Sequence, residues 1–139
     1  MDNDDIKQIM TYKPIPAGQL RLIKALWDTN NTGLSFSRLA QTTHGDGDKV
    51  CASLGSLDER VREVIDRPVS VPSHFVIERT GDGCYFLTEE VMQFIENTPS
   101  LKGALDSSQQ EMFDLQGEVA WQFVWDEDKQ SGNLQKFAR

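Results

Sequence analysis

The spacing of apolar residues between positions 50 and 65 constrains the fold of this 139-residue chain more than any other feature. They recur mostly every three or four positions, at Leu54, Leu57, Val61, Val64 and Ile65. At 100° per residue these side chains share one face, as a helix packed against a core requires. Asp48 follows the turn Gly45-Asp46-Gly47 and is a suitable N-cap, because its carboxylate can accept a backbone N–H. The segment therefore predicts a long amphipathic helix that begins near Asp48.

The flanking segments predict two shorter helices before this one, and a hairpin and a further helix after it. Pro16 suits the first turn of a helix, since its missing N–H would be unpaired there. Ser35 or Ser37 is placed to cap a second helix. Residues 74–78 and 84–87 have strand composition and are separated by the turn residues 80–83, after which Thr88 is placed to cap the last helix. We therefore expect a mostly α-helical fold with a small antiparallel β-hairpin.

In this order of elements, residues 16–98 resemble the winged helix-turn-helix superfamily, and residues 81–88 are similar to its wing and wing exit. The resemblance rests on the order and pattern of elements, so it indicates a superfamily and no particular family. It implies that the third helix enters the major groove of DNA in a transcriptional regulator that acts as a dimer. The residues nearest the bases would be Lys49, Ser53 and Ser56, and those at the backbone phosphates would be Arg60, Arg62 and Arg79.

The charge of the chain leaves a second function open. The formal net charge is -8, whereas a duplex-binding protein usually has a basic face that neutralises phosphates. A local basic strip along the third helix and the wing would consist of Arg38, Lys49, Arg60, Arg62, Arg67 and Arg79. The alternative is an acidic winged domain that binds a protein, possessing a surface able to cover a basic nucleic-acid site on that partner. The fold alone does not distinguish a DNA-binding regulator from a protein-binding domain. The surface charge over the third helix and the wing does.

The two ends of the chain are expected to be helical extensions, covering residues 1–15 and 99–139. Ile6, Ile9 and Met10 form an N-terminal apolar stripe. Residues 108–111 match a capping box, which predicts a helix to about residue 129 with Trp121 and Trp125 on its second apolar side. A helix with two apolar sides needs two packing partners, so these five residues predict the interface of a two-fold dimer. Packing of both Trp rings within one chain is the alternative.

Motifs for catalysis, cofactors and metals are missing from the sequence. Cys51 and Cys84 lack a C-x-x-C spacing and are expected to be free thiols. His44 and His74 lack ligand-like neighbours, and residues 46–48 lack the further oxygen ligands of a calcium loop. No apolar run approaches the roughly 20 residues of a membrane span, and the acidic start is unlike a signal peptide. We therefore expect a cytoplasmic, non-enzymatic protein without metal or cofactor, whose partner is double-stranded DNA or a protein.

Overall fold

The computed structural model describes residues 3–12, 15–43, 46–65, 72–106, 120–126 and 131–137. Its helices are α1 (Asn3–Thr11), α2 (Ala17–Asp28), α3 (Phe36–Thr43), α4 (Gly47–Val64), α5 (Glu89–Glu96) and α6 (Pro99–Asp106). Its strands are β1 (Ile15–Pro16), β2 (Leu34–Ser35), β3 (Ile77–Arg79), β4 (Cys84–Leu87), β5 (Ala120–Asp126) and β6 (Ser131–Phe137), and residues 72–75 form a 3₁₀ turn. The predicted class, mostly helical with a small antiparallel hairpin, is confirmed.

The central part of the chain, which we call the winged part, contains three helices and a three-stranded antiparallel sheet in the order helix, strand, helix, helix, hairpin. The strand order is β2-β4-β3, with α2 before β2 and with α3 and α4 between β2 and β3. Leu34 pairs with Tyr85 on one side of β4, and Arg79 pairs with Tyr85 on the other. The predicted hairpin is therefore present, although its first strand begins at Ile77 instead of residue 74. Strand β2 was not expected, because two residues are too few to display strand alternation.

Side-chain caps fix where the helices begin. Asp46 accepts a hydrogen bond from the backbone N–H of Asp48 (2.8 Å), so Asp46 is the N-cap of α4 and Asp48 lies in its first turn. The prediction of Asp48 as the cap is wrong by two residues. Ser35 caps α3 and Thr88 caps α5, each by accepting a backbone N–H three residues later. These bonds satisfy donors that the start of a helix leaves without a partner.

One buried cluster joins the N-terminal segment to the winged part. On α4, Leu57 and Val61 are buried, as is Ile65 directly after it, while Leu54 and Val64 are partly buried against the same cluster. This confirms the predicted apolar face of the third helix. The cluster also contains the following residues of α1, α2 and α5: Ile6, Ile9, Met10, Leu20, Ile23, Leu26, Val91 and Ile95. The α1 segment therefore shares the core of the winged part.

Asn31 ties the wing to the turn after α2. Its side-chain amide donates to the carbonyl of Leu87 (3.0 Å), and its side-chain oxygen accepts the N–H of Leu87 (2.7 Å). Asn31 has φ of 56°, in the left-handed region that asparagine tolerates better than most residues. Nearby, Gly33 has φ of 99° and lies against the ring of Phe86, where an added Cβ would come within 2.5 Å. The turn after α2 therefore holds the wing in place, and its positive φ angles favour asparagine at position 31 and glycine at position 33.

The ends of the chain meet in a second antiparallel sheet with strand order β1-β5-β6. Ile15 pairs with Trp121, and β5 pairs with β6 along its whole length. The predicted helix from residue 108 to 129 is therefore wrong over β5, and its other residues, 108–119 and 127–129, lie outside the described part. The error has a physical cause: a spacing of four, as between Trp121 and Trp125, fits one helical turn and also two strand repeats. The alternation of Trp121, Phe123 and Trp125 favoured the strand.

Candidate interaction surface on α4 and the wing

Helix α4 has one face that the other described residues leave exposed. Its exposed residues are Asp48, Lys49, Cys51, Ala52, Gly55, Ser56, Glu59, Arg62 and Glu63. The middle of this face consists of small side chains. A Cβ added at Gly55 would have no heavy atom of the described residues within 4 Å, so these residues leave the space in front of the helix open there. We call this set of exposed residues the α4 face.

Arg60 does not belong to the α4 face, which corrects its predicted role as a phosphate contact. Its side chain is only 3% exposed, its Nε donates to the carbonyl of Ile9 (2.7 Å), and a terminal nitrogen donates to the carbonyl of Met10 (3.4 Å). Both carbonyls belong to the last turn of α1, where a helix leaves its acceptors without intrahelical donors. Arg60 therefore closes the end of α1 and has no surface to offer a ligand.

Burial also changes the ionisation of Arg60. Desolvation lowers its pKa from 12.5 to about 10, while the charges of Glu63 and Tyr12 act in the opposite direction. The guanidinium remains protonated at neutral pH, so its hydrogen bonds to the carbonyls of α1 are charge-assisted.

Four of the predicted cations are exposed: Arg38, Lys49, Arg62 and Arg79. Arg79 lies over the ring of Tyr85, with its guanidinium carbon 5.9 Å from the ring centre. Tyr85 in turn contacts Phe36 at the start of α3, with ring centres 6.3 Å apart, and a Cβ on Gly47 would lie 3.0 Å from the Phe36 ring. The wing and the starts of α3 and α4 are therefore adjacent. Arg67 lies outside the described residues.

Exposed carboxylates are interspersed with these cations. Asp46 and Asp48 are close in sequence to Lys49, and Glu59 and Glu63 are close to Arg62. On the wing, Glu78 and Asp82 are exposed on either side of Arg79 in the sequence. The predicted local basic strip is thus a surface of mixed charge in which the described carboxylates outnumber the described cations.

Asp82 holds the turn of the wing. Its carboxylate accepts hydrogen bonds from the Thr80 hydroxyl and from the backbone N–H of Cys84 (3.3 Å). These bonds favour the charged form and lower the pKa of Asp82 below its ordinary value, with the Thr80 bond as the largest cause. The wing therefore has a fixed negative charge three residues after Arg79.

Of the two serines predicted to lie near bases, Ser53 is half-buried and Ser56 is exposed. The Nε2 of Gln19 in α2 donates to the Ser56 hydroxyl oxygen (3.0 Å). Gln19 is only 3% exposed, and its Oε1 has no hydrogen-bond partner among the described residues. In the sequence, Gln19 is a polar residue directly before the apolar Leu20, but this position alone does not predict a contact with α4.

The predicted dimer residues have different positions. Ile6, Ile9 and Met10 are 0%, 0% and 2% exposed within a single chain, so a contact through them would require α1 to leave its own core. Trp121 and Trp125 lie in β5, where their backbones are opposite Lys136 and Gly132 of β6. Because residues 120–126 form a strand, Trp121 and Trp125 do not lie on the predicted helical surface.

Over the described ranges, no three His, Cys, Asp or Glu side chains are grouped so that they could hold a metal ion. Cys51 and Cys84 are free thiols, as expected. None of the described helices combines the length and apolar character needed to cross a membrane.

Comparison of the chain with protein-family models, curated proteins and solved structures gave no match. The likeness to a winged helix therefore rests on the order of α2, β2, α3, α4, β3 and β4 and on their strand pairing.

Proposed function

We propose that this protein is an interaction module in which a winged helix binds a protein partner through the α4 face. The observation that carries the proposal is the charge of that face: Arg60 is buried, and three exposed carboxylates accompany Lys49 and Arg62. These carboxylates are Asp48, Glu59 and Glu63.

Charge separates the two candidate partners. Most of the affinity of a protein for duplex DNA comes from cations that neutralise phosphates, and carboxylates on the docking helix oppose this gain. A protein surface can instead place a cation opposite each carboxylate and a carboxylate opposite each cation, which gives specificity and faster association. The alternating charges of the α4 face suit the second kind of partner.

A DNA-binding transcriptional regulator is the second candidate. It is favoured by the position of Lys49 in the first turn of α4 and by the exposure of Arg38 and Arg79 near the Phe36–Tyr85 contact. In that function Lys49 and Ser56 would lie nearest the bases, and the two arginines would contact phosphates. Both candidate functions assume the cytoplasmic location that the sequence predicts, and cell fractionation tests that location.

A photoreactive amino acid at Ala52 tests the proposal in the cell that produces the protein. Ala52 is exposed at the middle of the α4 face, and Gln93, exposed on α5, is the control position. We expect a cross-linked adduct with the photoreactive group at Ala52 and none with the group at Gln93. The adduct should be digested by protease and should survive nuclease. An adduct that nuclease removes would overturn the proposal in favour of the DNA regulator.

Selection from random-sequence duplexes at low salt is the complementary measurement. We expect no enriched sequence and no more retention than with Lys49→Glu, because the phosphate contacts are too few. Enrichment of one sequence, lost in Lys49→Glu, would refute the proposed function.

A further inference from the structure

We infer that the α4 face pairs with the α4 face of a second copy of this chain, in an antiparallel arrangement about a two-fold axis near Gly55 and Ser56. The inference rests on the proposed function, because it names the occupant of the same surface. It is carried by two observations: the small residues at the middle of the face and the charges at its two ends.

The outermost line of the α4 face has the spacing of a helix-pairing seam. Its members are Asp48, Ala52, Gly55, Glu59 and Arg62, separated by four, three, four and three residues. This alternation keeps the side chains on the side of a helix that faces a neighbouring helix. The centre of the seam is Gly55, in front of which the space is open. A second helix can therefore approach the backbone of α4 closely at that point.

The charges at the ends of the seam are complementary to their own reversed order. Gly55 lies seven residues after Asp48 and seven before Arg62, and Ser56 lies midway between Lys49 and Glu63 in the same way. An antiparallel copy centred there brings Asp48 opposite Arg62 of the second copy and Lys49 opposite Glu63 of the second copy. The two-fold axis repeats both pairs, which gives four ion pairs. A parallel copy would oppose like charges, so the charge order selects the antiparallel arrangement.

This dimer differs from the one that the sequence predicted. It uses α4 instead of the chain ends, and it covers Lys49 and Ser56. A protein associated in this way has no free α4 with which to enter a DNA groove, which is consistent with the proposed function.

Sedimentation equilibrium of the full chain is the first test. We expect a concentration-dependent monomer–dimer equilibrium that Gly55→Leu abolishes, because Leu fits the isolated chain but blocks the approach of a second helix. Gln41→Leu, on the exposed side of α3, is the control and should leave the equilibrium unchanged. A monomeric wild-type protein at roughly 100 µM, the weak end of the range for specific association, would overturn the inference. A dimer that Gly55→Leu does not affect would do the same.

A charge swap tests the arrangement itself. Lys49→Glu and Glu63→Lys each oppose like charges, so each should weaken association about tenfold, the scale at which interfacial charge pairs act. The double variant Lys49→Glu/Glu63→Lys restores opposite charges and should return association to near the wild-type value. Failure of the double variant to recover, with its melting temperature unchanged, would refute the antiparallel pairing.

Cross-linking locates the axis. In a Cys51→Ser/Cys84→Ser background, Ser56→Cys should form an intermolecular disulfide under mild oxidation, whereas Gln41→Cys should not. A disulfide requires Cα atoms within about 7 Å, which only residues near the axis satisfy. No cross-link at Ser56→Cys would overturn the inference. The Ala52 adduct separates this failure from failure of the proposed function, because an adduct with a different protein would preserve the proposed function and eliminate only the second copy.

Discussion

Replacing Arg60 discriminates most directly between a structural residue and a DNA contact. Its guanidinium donates to the carbonyls of Ile9 and Met10 at the end of α1, and the side chain is 3% exposed. Arg60→Met keeps much of the apolar stem and removes the donors. The two carbonyls then lose charge-assisted partners at a buried site.

The magnitude follows from what is left unpaired. A buried acceptor that loses its donor costs about 1–3 kcal/mol of stability. Because the contact to the Met10 carbonyl is longer, we expect its loss to cost an amount near the lower end of that range. Relief of the guanidinium desolvation, which lowers the pKa of Arg60 to about 10, offsets part of the loss. We therefore expect Arg60→Met to reduce the free energy of unfolding by roughly 2–3 kcal/mol, or to lower Tm by about 10 °C.

Urea unfolding followed by circular dichroism measures this change, with Arg62→Met as the matched control. Arg62 lies two residues further along α4 and is exposed. At a protein concentration low enough to keep the chain monomeric, its replacement should change the free energy of unfolding by less than about 0.5 kcal/mol. The reasoning would be refuted if Arg60→Met were as stable as wild type. It would also be refuted if the two variants had equal effects on stability.

Three further predictions concern the turns and the exposed helix face. Gly55→Ala should stabilise the monomer by about 0.5–1 kcal/mol, because the added Cβ meets no described atom. Gly33→Ala should destabilise the monomer by about 2 kcal/mol or more, because Gly33 has a positive φ and lies against the Phe86 ring. Thermal melts of the two variants at low protein concentration measure this contrast. Asn31→Ala should cost about 2 kcal/mol through its two bonds to the Leu87 backbone, and hydrogen exchange at Leu87 should rise. The pKa of Asp82 is lowered from 3.8, so its stabilisation of the wing is complete above that value and is lost as pH falls through the folded pKa; amide shifts of Cys84 should titrate there in wild type and stay flat in Asp82→Asn.

The sequence by itself determined the elements whose signals are local. The apolar positions of α4, the turn at residues 80–83 and the caps Ser35 and Thr88 each depend on neighbours within a few residues. Such signals predicted the third helix, the hairpin and the helix after it, and together they predicted the fold class. The N-cap of α4 was misplaced by two residues because Asp46 and Asp48 offer the same carboxylate, and only the backbone conformation distinguishes them.

The tertiary structure decided every feature that depends on distant partners. Arg60 looked like a surface cation because its own helix does not reveal that the end of α1, fifty residues earlier, supplies its acceptors. The contact between Gln19 and Ser56 likewise joins residues that are thirty-seven positions apart. Burial depends on such long-range contacts, so the charge of the α4 face could be assessed only after folding had removed Arg60 from it.

The C-terminal segment shows the same limit in its backbone. Between residues 120 and 126 the spacing of the aromatic residues permits either a helix or a strand, and the capping-box pattern at residues 108–111 favoured the helix. Pairing of β5 with both β1 and β6 decided for the strand. Strand hydrogen bonds come from other segments, here from the opposite end of the chain, whereas helix hydrogen bonds are internal to the segment. A local pattern can therefore establish a helix such as α4, but only the assembled fold can establish a strand that joins the two ends.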